Sequence, residues 1–168
     1  MPTGRFSQKM AMEDKKTILA IASGGGHWTE LTKIIEPLGK EYRFVGVSTK
    51  KTPDSKGIYT NSYSVMDFSR KTWWRLPGVL FKVMRIVQRE KPFAIISTGA
   101  APGLIGVLVG KIYGKKTLWI DSLANPENLS GSGKIALRMG VRTIAQWEKI
   151  AGKYKNVIYV GNCFQNRR

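Results

Sequence analysis

The sequence has one cysteine, Cys163, and one histidine, His27. A lone thiol excludes an internal disulfide and suits a reducing compartment. With so few soft or imidazole ligands there is no cluster to hold a metal. Acids are scarce as well: 11 Asp and Glu stand against 28 Lys and Arg, a net charge of +17. That imbalance calls for an anionic partner, whether nucleic acid, anionic lipid or a phosphorylated substrate. No run of about 18 uncharged apolar residues occurs, so nothing reads as a bilayer-spanning helix. The longest apolar stretch, 100–110, is short and glycine-rich and fits a buried helix. Residues 1–16 have no apolar core of the kind a signal peptide needs and read as a flexible basic leader.

Several familiar motifs are missing too. A dinucleotide fingerprint starting at Gly24 needs glycine at position 29, where Thr29 stands. The end of the second strand carries Ser48, Thr49 and Lys50 in place of an acid, which suits only a 2′-phosphate and keeps an NADP-binding reductase as a remote alternative. A P-loop fails because Ile135 follows Gly133-Lys134 and position 128 is Asn128. There is no G-x-S-x-G elbow.

What is present is organised around residues 17–31, TILAIASGGGHWTEL. An apolar run stops at Ser23 and three glycines, Gly24, Gly25 and Gly26, and a helical pattern follows. A strand, a tight glycine turn and a helix N-terminus in that order make an anion site, because glycines let the backbone approach closely and free N–H groups point at the ligand. His27 sits where the helix begins, a titratable group beside a phosphate-sized pocket. The same stretch also reads as a turn that only tightens strand–helix packing, with His27 a polar helix-start residue.

The 168 residues, 42% of them hydrophobic, suffice for one domain with a proper core. The pattern predicts strands over 17–22, 42–48, 93–97, 117–120, 141–145 and 157–160, with a short one near 63–66. It predicts helices over 27–38, 69–89, 104–113 and 134–139, the second broken or kinked at Pro77-Gly78. Residues 50–57 and 125–133 are loops, and 98–103 form a second Gly/Pro-rich turn. Continuous apolar strands alternating with helices indicate an α/β fold, a parallel sheet covered on both faces. Both glycine turns then lie side by side at the carboxyl edge of the strands, together with Asp121.

The segment 70–89 (RKTWWRLPGVLFKVMRIVQR) carries a second signal. Leu80, Phe81, Met84, Ile86 and Val87 supply apolar surface, while Arg75, Lys82, Arg85 and Arg89 supply charge. The pair Trp73-Trp74 beside these cations looks like an interfacial anchor on an anionic membrane. The bland reading is a core helix whose tryptophans point inward. Basic charge with aromatics also suits single-stranded nucleic acid, but the cations are scattered and no nucleic-acid motif is present, so that partner is disfavoured.

Five segments in order and spacing carry a resemblance: 18–31 (ILAIASGGGHWTEL), 96–103 (ISTGAAPG), 118–130 (LWIDSLANPENLS), 144–147 (IAQW) and 158–162 (IYVGN). Together they resemble the acceptor-side half of two-part glycosyltransferases. One such relative is the membrane-recruiting subunit of the UDP-GlcNAc transferase that extends dolichol-linked chitobiose. Bacterial exopolysaccharide and capsule subunits are of the same type, and the N-terminal half of the transferase forming peptidoglycan lipid II is more distantly similar.

The resemblance implies a Rossmann-like doubly wound sheet, the N-terminal half of a GT-B fold split over two chains. Residues 17–162 would be the acceptor-binding domain and 163–168 a C-terminal tail. Ser23 to Gly26 and Thr98, Gly99, Pro102 and Gly103 would face the diphosphate of a polyprenyl-diphosphate-linked saccharide acceptor, with Asn125 nearby. His27 matches a suspected catalytic base, and Asp121 is a weaker catalytic candidate. The UDP-sugar donor would bind mainly to a separate donor-binding subunit, with no cofactor or metal of this chain's own. The protein would be peripheral, on the cytoplasmic face of the cell membrane, held by Trp73, Trp74, Arg75, Phe81, Lys82 and Arg85. An inverting transfer would use a base to take the acceptor hydroxyl proton, and imidazole, with its ordinary pKa of about 6.5, suits that task. The alternative is a non-catalytic scaffold that recruits and activates the catalytic partner.

Overall fold

The computed structural model describes residues 15–50 and 57–163. Most of the expected leader (1–14), most of the expected tail (164–168) and residues 51–56 of the expected loop lie outside the described residues. Seven strands, β1 (Thr17–Ala22), β2 (Arg43–Ser48), β3 (Tyr59–Ser64), β4 (Ala94–Gly99), β5 (Lys116–Ile120), β6 (Arg142–Ala145) and β7 (Val157–Tyr159), form one sheet. Their order is β3-β2-β1-β4-β5-β6-β7, with every neighbouring pair parallel. Helices α1 (Gly26–Ile35), α2 (Leu76–Glu90), α3 (Ala100–Ile112), α4 (Gly131–Arg138) and α5 (Glu148–Lys153) follow β1, β3, β4, β5 and β6 in turn. This is a Rossmann-like doubly wound sheet.

The strand run of β1 explains the two layers. Leu19 and Ile21 point to one face, where they pack with Val79, Val83, Ile86 and Val87 of α2 and Val107 and Val109 of α3. Ala20 and Ala22 point to the other, against Trp28, Leu31 and Ile35 of α1. Alternation about a backbone that is buried on both sides reads as a continuous apolar run. Each buried aliphatic side chain contributes roughly 1.5–3 kcal/mol of transfer free energy. Three glycines of α3 let it lie close on the sheet: a Cβ at Gly106 would come within 2.4 Å of Ile21 Cγ2.

Several expectations are corrected. The helical stretch 69–89 does divide, but between Arg75 and Leu76, just ahead of Pro77. A 3-10 turn, Arg70–Arg75, capped by Ser69, comes first, and Pro77 sits in the opening turn of α2, where its missing N–H costs nothing. Strand β3 lies earlier than 63–66 and is polar (YTNSYS), because it is the edge strand and only Tyr59 is fully buried. It is held from behind: the buried carboxylate of Glu90, at the end of α2, accepts from Arg43 Nη2 at 3.0 Å, from Asn61 Nδ2 at 3.0 Å and from the Tyr63 hydroxyl. Burial and this carboxylate push the Tyr63 phenol above its ordinary pKa. The short helix α5 is not anticipated by the sequence pattern. Ile86 and Val87, expected on the apolar surface of 70–89, belong to the core.

The sheet face over β4–β6, on the side that α1 packs against, is incompletely covered. A groove of about 890 Å³ lies there, lined by Ile96, Leu118, Ile120, Ile144, Pro37 and Val160 among others.

Candidate functional site

β1 and β4 are neighbours, so the two glycine turns meet at the carboxyl edge of the sheet. In the first, the Gly24 N–H donates to Thr49 Oγ1 at 2.8 Å, which ties the turn to the end of β2. Gly25 has φ 96°, a conformation that favours glycine, and a Cβ on Gly25 or Gly26 would meet nothing within 4 Å. That side of the turn is open. The first helical bond of α1 runs from Thr29 N to Gly25 O, so the N–H groups before it have no helical partner. No side chain caps this end and no acid lies in the first turn.

The second turn is tighter than the sequence suggests. β4 runs to Gly99 and α3 starts at Ala100, which has φ 63°. A non-glycine residue held there stores strain of order 1–3 kcal/mol. This helix start is likewise uncapped and free of acids. By contrast, the Ser130 hydroxyl caps α4 by accepting from Gly133 N at 2.9 Å. The helices that begin at the β1–β4 corner share this uncapped, acid-free start with α2.

The turns are coupled through His27. Thr98 Oγ1 donates to the His27 carbonyl at 2.7 Å. The His27 ring lies on Gly99, where a Cβ would come within 2.5 Å of both Cε1 and Nδ1. Nδ1 is buried without a hydrogen-bond partner. Ser23 and Gly24 are half-buried beside this corner, and Lys50 packs its stem against Gly24.

Other sequence candidates go elsewhere. Pro102 and Gly103 are buried in α3, Gly103 so close to Ser97 of the sheet that a Cβ would sit 2.1 Å from its hydroxyl oxygen. They shape the helix approach and do not line the open corner. Asp121 is 1% exposed, and its carboxylate is occupied within the fold. Its Oδ1 accepts from Trp119 Nε1 at 3.0 Å and Ser130 Oγ at 2.6 Å, and its Oδ2 from Ser130 N at 2.9 Å. The geometry gives it the work of holding the β5–α4 loop and the cap of α4. Asn125, half-buried in that loop, uses its main-chain N–H on the Ser122 carbonyl at 3.1 Å.

Two residues that sequence reasoning passed over tie this edge together. Glu30, on α1 and 3% exposed, accepts from the Leu123 N–H at 3.0 Å and from Gln146 Nε2. Gln146 Nε2 also donates to the Asp121 carbonyl at 2.9 Å, and its Oε1 accepts from Cys163 N at 3.1 Å. The available signal was that Glu30 shares a helix face with Ile34, an apolar position four residues on. Burial, with the nearby Glu30 charge, pushes the Cys163 thiol up to about 11.

The Trp pair stands outside. Trp73 is 69% and Trp74 62% exposed, with Phe81 at 62% and Met66 at 54%. Lys71, Arg75, Lys82 and Arg85 are exposed around them. The core reading of the two rings is therefore excluded. This surface follows β3, so it starts from the same carboxyl edge as the glycine turns. No helix among the described residues is long and apolar enough to cross a membrane.

No family model matches the chain. In sequence it is similar to the UDP-N-acetylglucosamine transferase subunit ALG14 of Homo sapiens, 24% identical over 186 residues, spanning 92% of this chain and 86% of that one. The Mus musculus protein of the same name is 24% identical over 176 residues, with 86% and 81% covered. Among solved structures, Acinetobacter baumannii MurG superposes with a TM-score of 0.70 at 14% identity, over 86% of this chain and 45% of that one. A UDP-N-acetylglucosamine 2-epimerase from Rickettsia bellii gives 0.63 at 14%, over 89% and 45%. The S. aureus MnaA–UDP structure gives 0.65 at 15%, over 88% and 44%. The chain thus spans less than half the length of these solved structures, and what it shares with them is the fold.

Proposed function

We propose that this chain is the acceptor-binding subunit of a UDP-sugar-dependent glycosyltransferase in bacterial polysaccharide biosynthesis, of the exopolysaccharide or capsule type. It binds a polyprenyl-diphosphate-linked saccharide at the cytoplasmic face of the membrane, and a separate donor-binding subunit completes the enzyme. The observation that carries the reading is the meeting of two uncapped, acid-free helix N-termini at the β1–β4 corner, coupled by His27, Thr98 and Gly99. Free N–H groups and the positive ends of two helix dipoles suit a diphosphate. The open part of the site consists of Gly25 and Gly26 with the half-buried His27, and Ser23, Gly24, Thr98 and the buried Gly99 support them.

The exposed Trp73, Trp74 and Phe81 with their surrounding cations fit an anionic lipid surface, where aromatic rings favour the headgroup level. A lipid-borne diphosphate and a membrane-seated protein then meet at one edge. The second subunit has a place to bind in the groove over β4–β6, beside the exposed Ile158 and Val160. The transfer is an inverting displacement in which the UDP leaving group is stabilised electrostatically by the donor subunit. Similarity to the ALG14 transferase subunits supports this division of labour.

The test is reconstitution on vesicles carrying the lipid acceptor. The chain purified alone is expected to show no transfer, and the chain with its co-purifying partner to show UDP-sugar-dependent transfer. Robust turnover of a UDP-sugar by this chain alone overturns the split enzyme.

A further inference from the structure

We propose that His27 serves as a fixed Nε2–H hydrogen-bond donor to the diphosphate, not as the base that deprotonates the attacking hydroxyl. The proposal rests on the acceptor-diphosphate reading of the paired turns and assigns His27 its role there.

A neutral imidazole carries hydrogen on one nitrogen and a lone pair on the other. Nδ1 is the nitrogen shut away from solvent without a partner. Gly99 lies against that side of the ring, and the Thr98 hydroxyl holds the residue's own carbonyl at 2.7 Å. For Nε2 to act as a base, the neutral ring must keep its hydrogen on Nδ1. There it would be a buried, orphaned N–H, and such donors are rarer in folded proteins than under-satisfied acceptors. It would also sit in the first turn of α1, among unpaired N–H groups and at the positive end of the helix dipole, which disfavour another donor and favour a lone pair. In triad-type sites an acid holds the far N–H of the base. The two buried acids of this edge do not: Asp121 is filled by Trp119 and Ser130, and Glu30 by Leu123 and Gln146. With the lone pair on Nδ1, Nε2 carries the hydrogen outwards and has none of its own lone pair to accept a proton. An N–H aimed from a helix N-terminus is what an anion recruits.

His27 is the chain's single histidine, so its ring nitrogens are assignable without ambiguity by ¹⁵N-resolved NMR on the full chain. The spectrum is recorded at a pH well above the ordinary imidazole range. The expected result is hydrogen on Nε2 and a bare Nδ1, with the Nε2–H resonance moving when farnesyl diphosphate is added. Hydrogen on Nδ1 overturns the proposal, and so does probe binding that leaves Nε2–H unmoved. Failure of the probe to bind at all removes the diphosphate reading and the donor role with it, while the tautomer remains separately visible. In the reconstituted complex, His27→Gln places an amide N–H near the Nε2 position and His27→Asn near that of Nδ1. His27→Gln is expected to keep transfer within about tenfold, and His27→Asn and His27→Ala to lose 100-fold or more, the scale on which a catalytic group acts. A His27→Gln variant as inactive as His27→Ala, with the complex intact, overturns the donor role.

Discussion

The Thr98 hydroxyl donates to the His27 carbonyl at 2.7 Å, joining residues 71 apart in sequence. Through that bond the end of β4 sets the start of α1, and Gly99 becomes the floor on which the His27 ring lies. Geometry at one turn is thus transmitted to the other.

Gly99→Ala is expected to uncouple them. The new Cβ would stand 2.5 Å from the His27 ring, so the ring must leave its seat. Transfer by the reconstituted complex should fall about 10- to 100-fold, since misplacement of a site group by about 1 Å has effects of that order. Circular dichroism should still report the native fold.

Trp73→Ala with Trp74→Ala is expected to leave the melting temperature within a few degrees, because both rings are exposed and lend the core nothing. Co-sedimentation with anionic vesicles should drop at least tenfold. Unchanged vesicle binding would remove this face as the anchor.

Glu90→Ala should be among the most damaging single changes to stability. It strips Arg43, Asn61 and Tyr63 of one shared, buried acceptor. Breaking such a network costs about 3 kcal/mol, or roughly 6–12 °C at 2–4 °C per kcal/mol for a chain of this size. Thermal unfolding measures it directly, and β3 should show the first loss of amide protection.

Asp121→Asn separates a structural carboxylate from a catalytic one. A structural role predicts a loss of about 2 kcal/mol, from impaired acceptance at Ser130 and Trp119, with turnover per folded complex within about threefold. A fall of 100-fold at unchanged folding would restore it as a proton-transfer group.

Cys163 should be a poor nucleophile. Its thiol is pushed up to about 11, chiefly by burial, and only the thiolate reacts. At pH 8 alkylation of the native chain is expected to be at least tenfold slower than in urea. The raised pKa also means that between 9.0 and about 11 the unfolded chain ionises this thiol first, so stability declines across that window. Below it, this group contributes no pH dependence.

Much of the fold was legible locally. β1 announced itself because a central parallel strand is buried on both faces and must be apolar throughout, and the following glycines and helix pattern located the start of α1 to within a residue. The placement of both turns at one edge followed from strand–turn–helix order alone. Less was legible where a residue's neighbours come from distant sequence. The polar run of β3 is a strand because β2 and Glu90 hold it. The helix α2 begins at Leu76, one residue before the Pro77 where a kink or break was expected, because the Ser69-capped turn delivers the chain there. Asp121 looked reactive in sequence because a carboxylate at a strand end often is. Only the fold surrounds it with Trp119 and Ser130. His27 shows the division most clearly. Sequence alone put an imidazole at a helix start beside a glycine turn. Which of its nitrogens faces out was decided by Gly99, more than 70 positions away, because burial and hydrogen-bond supply are properties of packed surfaces and not of local pattern.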